Sequence, residues 1–282
     1  MNNDKKILII GLGLIGGSYA KGLTKEGFKV YAYNRNISSI EYAIKNNFII
    51  DGTNNLTKEF LQKFDRIIFS LYPKIFIEFI DKYSSFFKEG TIISDVTGVK
   101  SAVVSTIQNM LPKNVEFIPA HPMAGKETTS VQNADESIFK NANYIITPTE
   151  KNTEIGINFA KEIGVALHFR KISYLSIKEH DEMIAFLSQL THCIAVSLMT
   201  CKDSEHLVDY TGDSFRDLTR IANINENMWC ELFLLNKSSL LTEINSFINE
   251  LSQLRDYIES DDEENIKKMM RLSTARRKLF NK

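Results

Sequence analysis

The first half of the chain alternates short apolar runs with longer stretches of helical periodicity. The runs are Lys5–Ile10, Phe28–Tyr33, Arg66–Leu71, Thr91–Ser94, Glu116–Pro119, Tyr144–Thr147 and Ala166–Phe169. They are short, often β-branched and almost continuously apolar, which is how strands read when helices cover both faces of their sheet. Helical patterns lie between several of them, over Leu14–Glu26, Ser38–Asn46, Pro73–Phe87 and Val99–Leu111. Strand alternating with helix predicts an α/β fold with a parallel, doubly wound sheet. From about Ser173 the pattern changes. Helical periodicity runs through Ser173–Lys202, Ser214–Asn223, Glu226–Glu259 and Asp262–Lys278, with no further strand expected and no Pro after Pro148 to break a helix. The expected division is an α/β domain over 1–171 and an all-helical domain over 172–282.

Composition narrows the class. The 282 residues are 43% hydrophobic and 24% charged, the balance of a globular protein long enough to bury large cores. Lys and Arg number 34 against 35 Asp and Glu, so no overall field favours nucleic acid or an anionic membrane as partner. Three Cys without a CxxC argue against a disulfide framework and a zinc ribbon; they are expected to be small core residues, and no metal is expected. No signal peptide and no run approaching the ~18 apolar residues of a membrane span are read, so a cytosolic compartment is expected. The acidic stretch Glu259–Glu264 before the basic Lys267–Lys278 reads as one solvated helix, charged as its dipole favours.

Against that background, Gly11-Leu12-Gly13-Leu14-Ile15-Gly16 stands out, because it follows the first apolar run directly and opens a helix. In this setting Gly11 permits a tight turn and Gly13 lets backbone approach a pyrophosphate. Gly16 allows close helix–sheet packing, and the helix N-terminus attracts the phosphate charge. Leu14 and Ile15 belong to the same turn. At the end of the second run the fingerprint expects an acid for the adenosine ribose, but the chain has Asn34-Arg35-Asn36. NAD is the expected cofactor, and NADP is also admitted, since no carboxylate repels a 2′-phosphate.

Four more stretches carry candidate chemistry. Asp95-Val96-Thr97-Gly98-Val99-Lys100 and His121-Pro122-Met123-Ala124-Gly125-Lys126-Glu127 each follow an expected strand. His121 therefore sits where an open α/β sheet places ligands, in a loop shaped by Pro122 and Gly125, and is the candidate acid–base group. Ser188 and His192 are spaced i,i+4 and share a helix face. Ser214 and Asp217 have the spacing of a capping box, and Asp217 could instead pair with Arg220. Arg216 and Arg220 offer guanidinium groups for a carboxylate. The dipeptide His180-Asp181 looks like that of a metal phosphohydrolase, but the other His and Asp residues such a site needs are missing, so that reading is set aside.

Taken in order, GLGLIGGS, DVTGVK, HPMAGKE, the helix HD…IAFLSQLTH, FRDLTRIA and MWCELF resemble the prephenate/arogenate dehydrogenase family of tyrosine biosynthesis, over nearly the whole chain. The resemblance implies a Rossmann-type domain followed by a helical substrate-binding and dimerisation domain, with the active site between them and a homodimer as the assembly. It implies oxidative decarboxylation of prephenate with hydride transfer to NAD or NADP. On the matching positions His121 would take the hydroxyl proton, Arg220 would bind a substrate carboxylate, and Ser188 and His192 would contact substrate. Trp229 would reach the pocket of the dimer-related subunit. Ser70 and Asp95, at strand ends beside the glycine turn, join the expected cofactor-binding set. The family usually has Ser at the position of Gly98, and Thr97 is expected to substitute. Lys126 and Asp213 also depart from the family pattern. Retention of His192 favours prephenate over arogenate, and no regulatory or second catalytic domain is expected. The alternatives are an arogenate dehydrogenase or a non-catalytic dinucleotide sensor, which would need neither His121 nor Arg220.

Overall fold

The computed structural model describes residues 6–203 and 206–281. Its first half holds six parallel strands: β1 (Lys6–Ile10), β2 (Lys29–Tyr33), β3 (Asp51–Thr53), β4 (Arg66–Phe69), β5 (Ile92–Asp95) and β6 (Glu116–Ile118). Their order is β3-β2-β1-β4-β5-β6, with helices between consecutive strands. The strand order reverses between β1 and β4, which puts the switch point at the glycine turn. Alternation on β1 explains the continuous apolar run. Ile7 and Ile9 enter the core on one face of the sheet, Leu8 and Ile10 the core on the other. Lys5, the first residue of the expected strand, lies outside the described residues.

A second, three-stranded sheet follows: β7 (Ala120–Pro122), β8 (Asn143–Ile146) and β9 (Lys171–Tyr174), with β7 antiparallel and β9 parallel to β8. Two expectations change here. Ala166–Phe169 is not a strand. It is the end of the helix Glu154–Ala166, whose inward face buries Phe159, Ala160, Ile163 and Ala166, followed by a left-handed turn at His168 (φ 57°). The Phe169 amide then closes back on the Gly164 carbonyl, a Schellman-type end. The true strand, β9, straddles position 171/172 and includes Ser173, which was expected to be helical.

Beyond β9 the chain is helical. The helix from Ile177 opens with a capping box between Ser176 and Glu179, and it continues to Thr200 through a π-helical stretch at Ala185–Leu190. The expected helix Glu226–Glu259 is broken into Glu226–Leu235 and Lys237–Glu259 at Asn236. The Asn236 side chain there donates to the Asp181 carbonyl at 2.9 Å and to Gln189 Oε1 at 2.8 Å, tying the break to the first helix. This half has little core of its own. In Lys237–Glu259 only Leu240 is buried, and in Glu263–Lys278 no residue is. Phe186, Leu187, Leu234, Ile248, Leu251 and Ile258 are all more than half exposed. The run Ile177–Thr200 is also long and apolar enough to cross a membrane by length and composition, which the sequence reading did not anticipate; 28% of its most apolar window is buried within the chain. The cysteines follow the same surface: Cys201 and Cys230 are exposed and Cys193 is partly buried, so they are not the core residues expected.

Candidate active site

The glycine turn is held as the motif predicts. Gly11 has φ 100°, and a Cβ there would meet the Ser70 carbonyl; a Cβ on Gly16 would overlap the Gly11 carbonyl oxygen. Gly13 has open space at the same test and stands as N-cap of the helix Leu14–Lys25, with no side chain capping its first amides. Uncapped amides pointing from a helix start into open space, beside a glycine that crowds nothing, fit the pyrophosphate of a dinucleotide. Leu14 is buried under the turn and Ile15 is partly buried. Ser70 follows β4, its amide bonded to the Ile10 carbonyl at 2.8 Å, so it borders the turn as expected.

Asn34, at the end of β2, is partly buried and reaches back to the glycine turn. Its Oδ1 accepts from the Leu12 amide at 3.1 Å and its Nδ2 donates to the Asn36 carbonyl at 3.2 Å. The side chain braces the glycine turn from the end of β2, while Arg35 beside it is exposed.

Asp95 and Thr97 are both buried and bonded to the scaffold. Asp95 is 1% exposed, and its carboxylate accepts from the Ala120 amide (3.0 Å), the Thr97 amide (3.1 Å), the Thr97 hydroxyl and Lys100 Nζ (2.7 Å). Lys100 is fully buried and spends its other donors on the Ala120 carbonyl at 2.6 Å and Thr97 Oγ1 at 3.2 Å. Burial pushes the Lys100 ammonium below its usual range, against the opposing pull of Asp95. This is an internal ion pair that ties β5 to β7. It also takes up the Thr97 hydroxyl, which lies 3.1 Å from the Val99 carbonyl as well. The Gly98 backbone is the part of this loop that faces the site: a Cβ there would stand 3.8 Å from His121 Nε2 and 3.6 Å from Leu232.

His121 lies on β7, one residue beyond Ala120 and thus directly above the buried ion pair. Its Nδ1 is 2.9 Å from His180 Nε2, and His180 Nδ1 is 2.7 Å from Asp181 Oδ1. The Asp181 carboxylate also takes the amides of Lys100 (2.9 Å) and Ser101 (2.8 Å) at the start of the helix Ser101–Met110. Burial, and after it His180 and Lys100, hold His121 well below the usual histidine range. Burial lowers His180 too, against the raising effect of Asp181. For Asp181, burial opposes ionisation, but hydrogen bonds from His180 and Ser101 keep its carboxyl below the usual range.

The helical half supplies the facing wall. His192 Nδ1 is 2.9 Å from the Ser188 carbonyl, so the i,i+4 pair meets through backbone and not through the Ser188 hydroxyl. Trp229 stacks on His192 within the same chain, ring centroids 3.6 Å apart. Burial lowers the His192 imidazole, with Glu127 raising it and Arg220 lowering it further. Arg220 forms an ion pair with Glu127, not with Asp217. The helix Asp213–Thr219 carries no side-chain cap, and Asp213 pairs with Arg216 at 2.7 Å, so the Ser214–Asp217 capping box is absent.

The sequence reading missed three features of the site. Glu127 was quoted only as part of its motif, and no local signal ties it to an arginine 93 positions away. Lys100 was likewise quoted only as part of its motif; its burial goes with that of its apolar neighbours Val99, Val103 and Val104. His180-Asp181 was noticed, but for the wrong chemistry. Among the described residues no group of three His, Cys, Asp or Glu is placed to hold a metal.

Two family models match the chain: the nucleotide-binding domain of prephenate dehydrogenase over residues 19–168, and the dimerization domain of prephenate dehydrogenase over 176–272. The chain is 31% identical over 276 residues to the prephenate dehydrogenase of Bacillus subtilis, covering 94% of this chain and 74% of that one. It is 34% identical over 257 residues to the prephenate dehydrogenase of Lactococcus lactis, covering 89% and 70%. The crystal structure of prephenate dehydrogenase from Aquifex aeolicus with hydroxyphenyl propionate and NAD+ superposes with a TM-score of 0.88 at 28% identity, covering 97% of each chain.

Proposed function

The chain belongs to the prephenate dehydrogenase family, and from that premise we propose that it oxidises and decarboxylates prephenate to 4-hydroxyphenylpyruvate. The observation that carries the reading is the placement of His121. It stands at the end of the parallel sheet on the side of the glycine turn, with Nδ1 engaged by His180 and Nε2 turned towards the open backbone of Gly98.

The nicotinamide of bound NAD supplies the acceptor for the hydride that leaves the hydroxyl-bearing ring carbon of prephenate. His121 takes the hydroxyl proton at Nε2, and a lowered basicity keeps that nitrogen free at neutral pH. The carbonyl that forms is para to the ring carboxylate and draws in the electron pair of its carbon–carbon bond. Carbon dioxide leaves, the ring becomes aromatic, and the phenolate oxygen takes back the proton held on His121. Arg220 binds a substrate carboxylate by exchanging its partner Glu127 for it, a swap open to it because both side chains are partly exposed. His192, with Trp229 flat against it, and Ser188 line the same wall. Gly11, Gly13, Leu14, Ile15, Gly16 and Ser70 form the pyrophosphate cradle, and Asn34 shapes it from behind. Asp95 and Thr97 act from beneath, by holding β7 and so His121. Without an acid after β2, NADP is accepted with a modest penalty.

Two further readings go with this one. The division between the units falls at Leu175, between β9 and the cap Ser176, a few residues beyond the position expected from sequence. The apolar surface of the helical half is covered by a second copy, most simply with two-fold symmetry, in keeping with the match to a dimerization domain. The activity is tested by following NADH formation at fixed NAD with prephenate and, separately, with arogenate. Turnover of prephenate at least tenfold more efficient is expected. A preference for arogenate, or no turnover of either, overturns the reading.

A further inference from the structure

We propose that His180 and Asp181 are positioning residues that fix the tautomer of His121 and support its imidazolium, a claim that rests on His121 being the base. The geometry leaves one consistent assignment of protons. Asp181 is ionised and can only accept. His180 Nδ1, 2.7 Å away, therefore carries a proton. His180 is held neutral by its burial, so its Nε2 is a bare lone pair. His121 Nδ1, 2.9 Å from that lone pair, must then be the donor. A neutral His121 with its proton on Nδ1 has Nε2 unprotonated, and Nε2 is the atom beside Gly98.

The charges around this chain fit the assignment. Lys100 lies near both rings and opposes a positive charge on either, and a charged His180 would oppose one on His121; held neutral by burial, His180 offers His121 only its lone pair, while Asp181, and Asp95 more distantly, favour a charge on His180 itself. When Nε2 takes a proton, the Nδ1–H of the imidazolium still points at the lone pair of His180, whose own N–H points at a carboxylate. The new positive charge is thus stabilised through two hydrogen bonds without moving an atom.

The chain also joins the two halves of the molecule. Asp181 sits on the long helical-half helix yet accepts both amides at the start of Ser101–Met110, next to the lysine that anchors β7. Asn236 holds the Asp181 carbonyl from a third element. The orientation of the base is therefore set by the docking of the helical half on the sheet. That explains why His180-Asp181 lies so far from the HPMAGKE loop in sequence.

The test has an arm that needs no activity. Long-range proton–nitrogen NMR on protein labelled at its five histidines, assigned with single-site variants, reads the tautomer of His121 directly. The Nδ1–H form is expected, and the Nε2–H form overturns the proposal. In the second arm, pH–rate profiles are compared for wild type, His180→Leu and His180→Gln. Leucine offers His121 no acceptor, so kcat should fall roughly 10- to 100-fold, a part of the 10²–10⁴ that a positioned base contributes. KM for NAD should stay within about twofold, because the cradle is elsewhere. The acid limb of kcat/KM should move to lower pH, because the imidazolium loses its acceptor. Glutamine restores an acceptor and should regain most of the loss. An unmoved limb, or one moved upward, contradicts the proposal. If His121→Asn keeps full turnover, the base assignment fails instead, whatever the tautomer. Should His180→Leu not fold, the wild-type tautomer still decides.

Discussion

Replacing Lys100 by Met keeps the length of a fully buried side chain and removes its charge. The Asp95 carboxylate then loses its one cationic partner while remaining 1% exposed, with three hydrogen bonds left from Ala120 and Thr97. Removing one member of a buried pair typically costs about 3–5 kcal/mol, because the other charge stays buried and uncompensated. For a unit of this size each kcal/mol shifts the midpoint by roughly 2–4 °C, so Lys100→Met should lower the melting temperature by roughly 10 °C. Asp95→Asn combined with Lys100→Met removes both charges and should recover about 2 kcal/mol or more of that loss. The assay is thermal unfolding of the four proteins of this double-mutant cycle, with NAD affinity measured alongside. If Asp95 were instead a cofactor ligand, Asp95→Asn would weaken NAD without moving the midpoint. A Lys100→Met midpoint within ~2 °C of wild type, or no recovery in the double variant, would refute the reasoning.

Arg220→Gln should raise KM for prephenate by roughly 10- to 100-fold, the ~1.5–3 kcal/mol of a charge-assisted carboxylate contact, and leave KM for NAD nearly unchanged; steady-state kinetics decides, and an unchanged KM for prephenate makes the arginine structural. Asn34→Asp keeps an acceptor for the Leu12 amide and adds the missing carboxylate, so it should cut kcat/KM for NADP by at least ~10-fold while NAD use stays within a few-fold; equal loss of both cofactors would mean that the brace, not the charge, was disturbed. Because burial holds His121 and His180 below their unfolded values, the unfolded chain binds protons that the folded chain does not once pH drops below about 6.5. Stability is thus retained above that pH and lost as pH falls toward the folded values; urea midpoints at pH 7.5 and 5.5 should show the drop, and a smaller one in a His121→Asn, His180→Gln double variant.

Local patterns carried the sheet well. β1, β2, β4, β5, β6 and β8 each answer to an apolar run, because a strand covered on both faces needs apolar residues at every position. The edge strand β3, Asp51-Gly52-Thr53, has no such requirement and left no signal. Ala166–Phe169 misled because four residues of a buried helix end look like a buried strand, and only the preceding twelve reveal the period. At the site, the glycine turn and His121 were legible since strand-end loops of this fold gather ligands. What the chain does with Asp95, Thr97 and Asn34 was not. Each is a polar residue beside a ligand position, and whether it faces the ligand or the scaffold depends on partners far away: Ala120 and Lys100 for Asp95 and Thr97, Leu12 for Asn34. The same holds for His180-Asp181, whose meaning appears only once the helical half docks on the start of Ser101–Met110.

The assignment of His121 as the base is tested most directly by the pH dependence of prephenate-driven NADH formation in wild type and in His121→Asn. The wild-type enzyme should show kcat/KM that is level through neutral pH and falls only on the acid side, below the usual histidine range, because burial above all depresses the imidazole. His121→Asn should bind NAD normally, lose roughly 10²–10⁴ in kcat, and lose the acid limb with it. Turnover near the wild-type level in that variant, with the acid limb intact, would contradict the account.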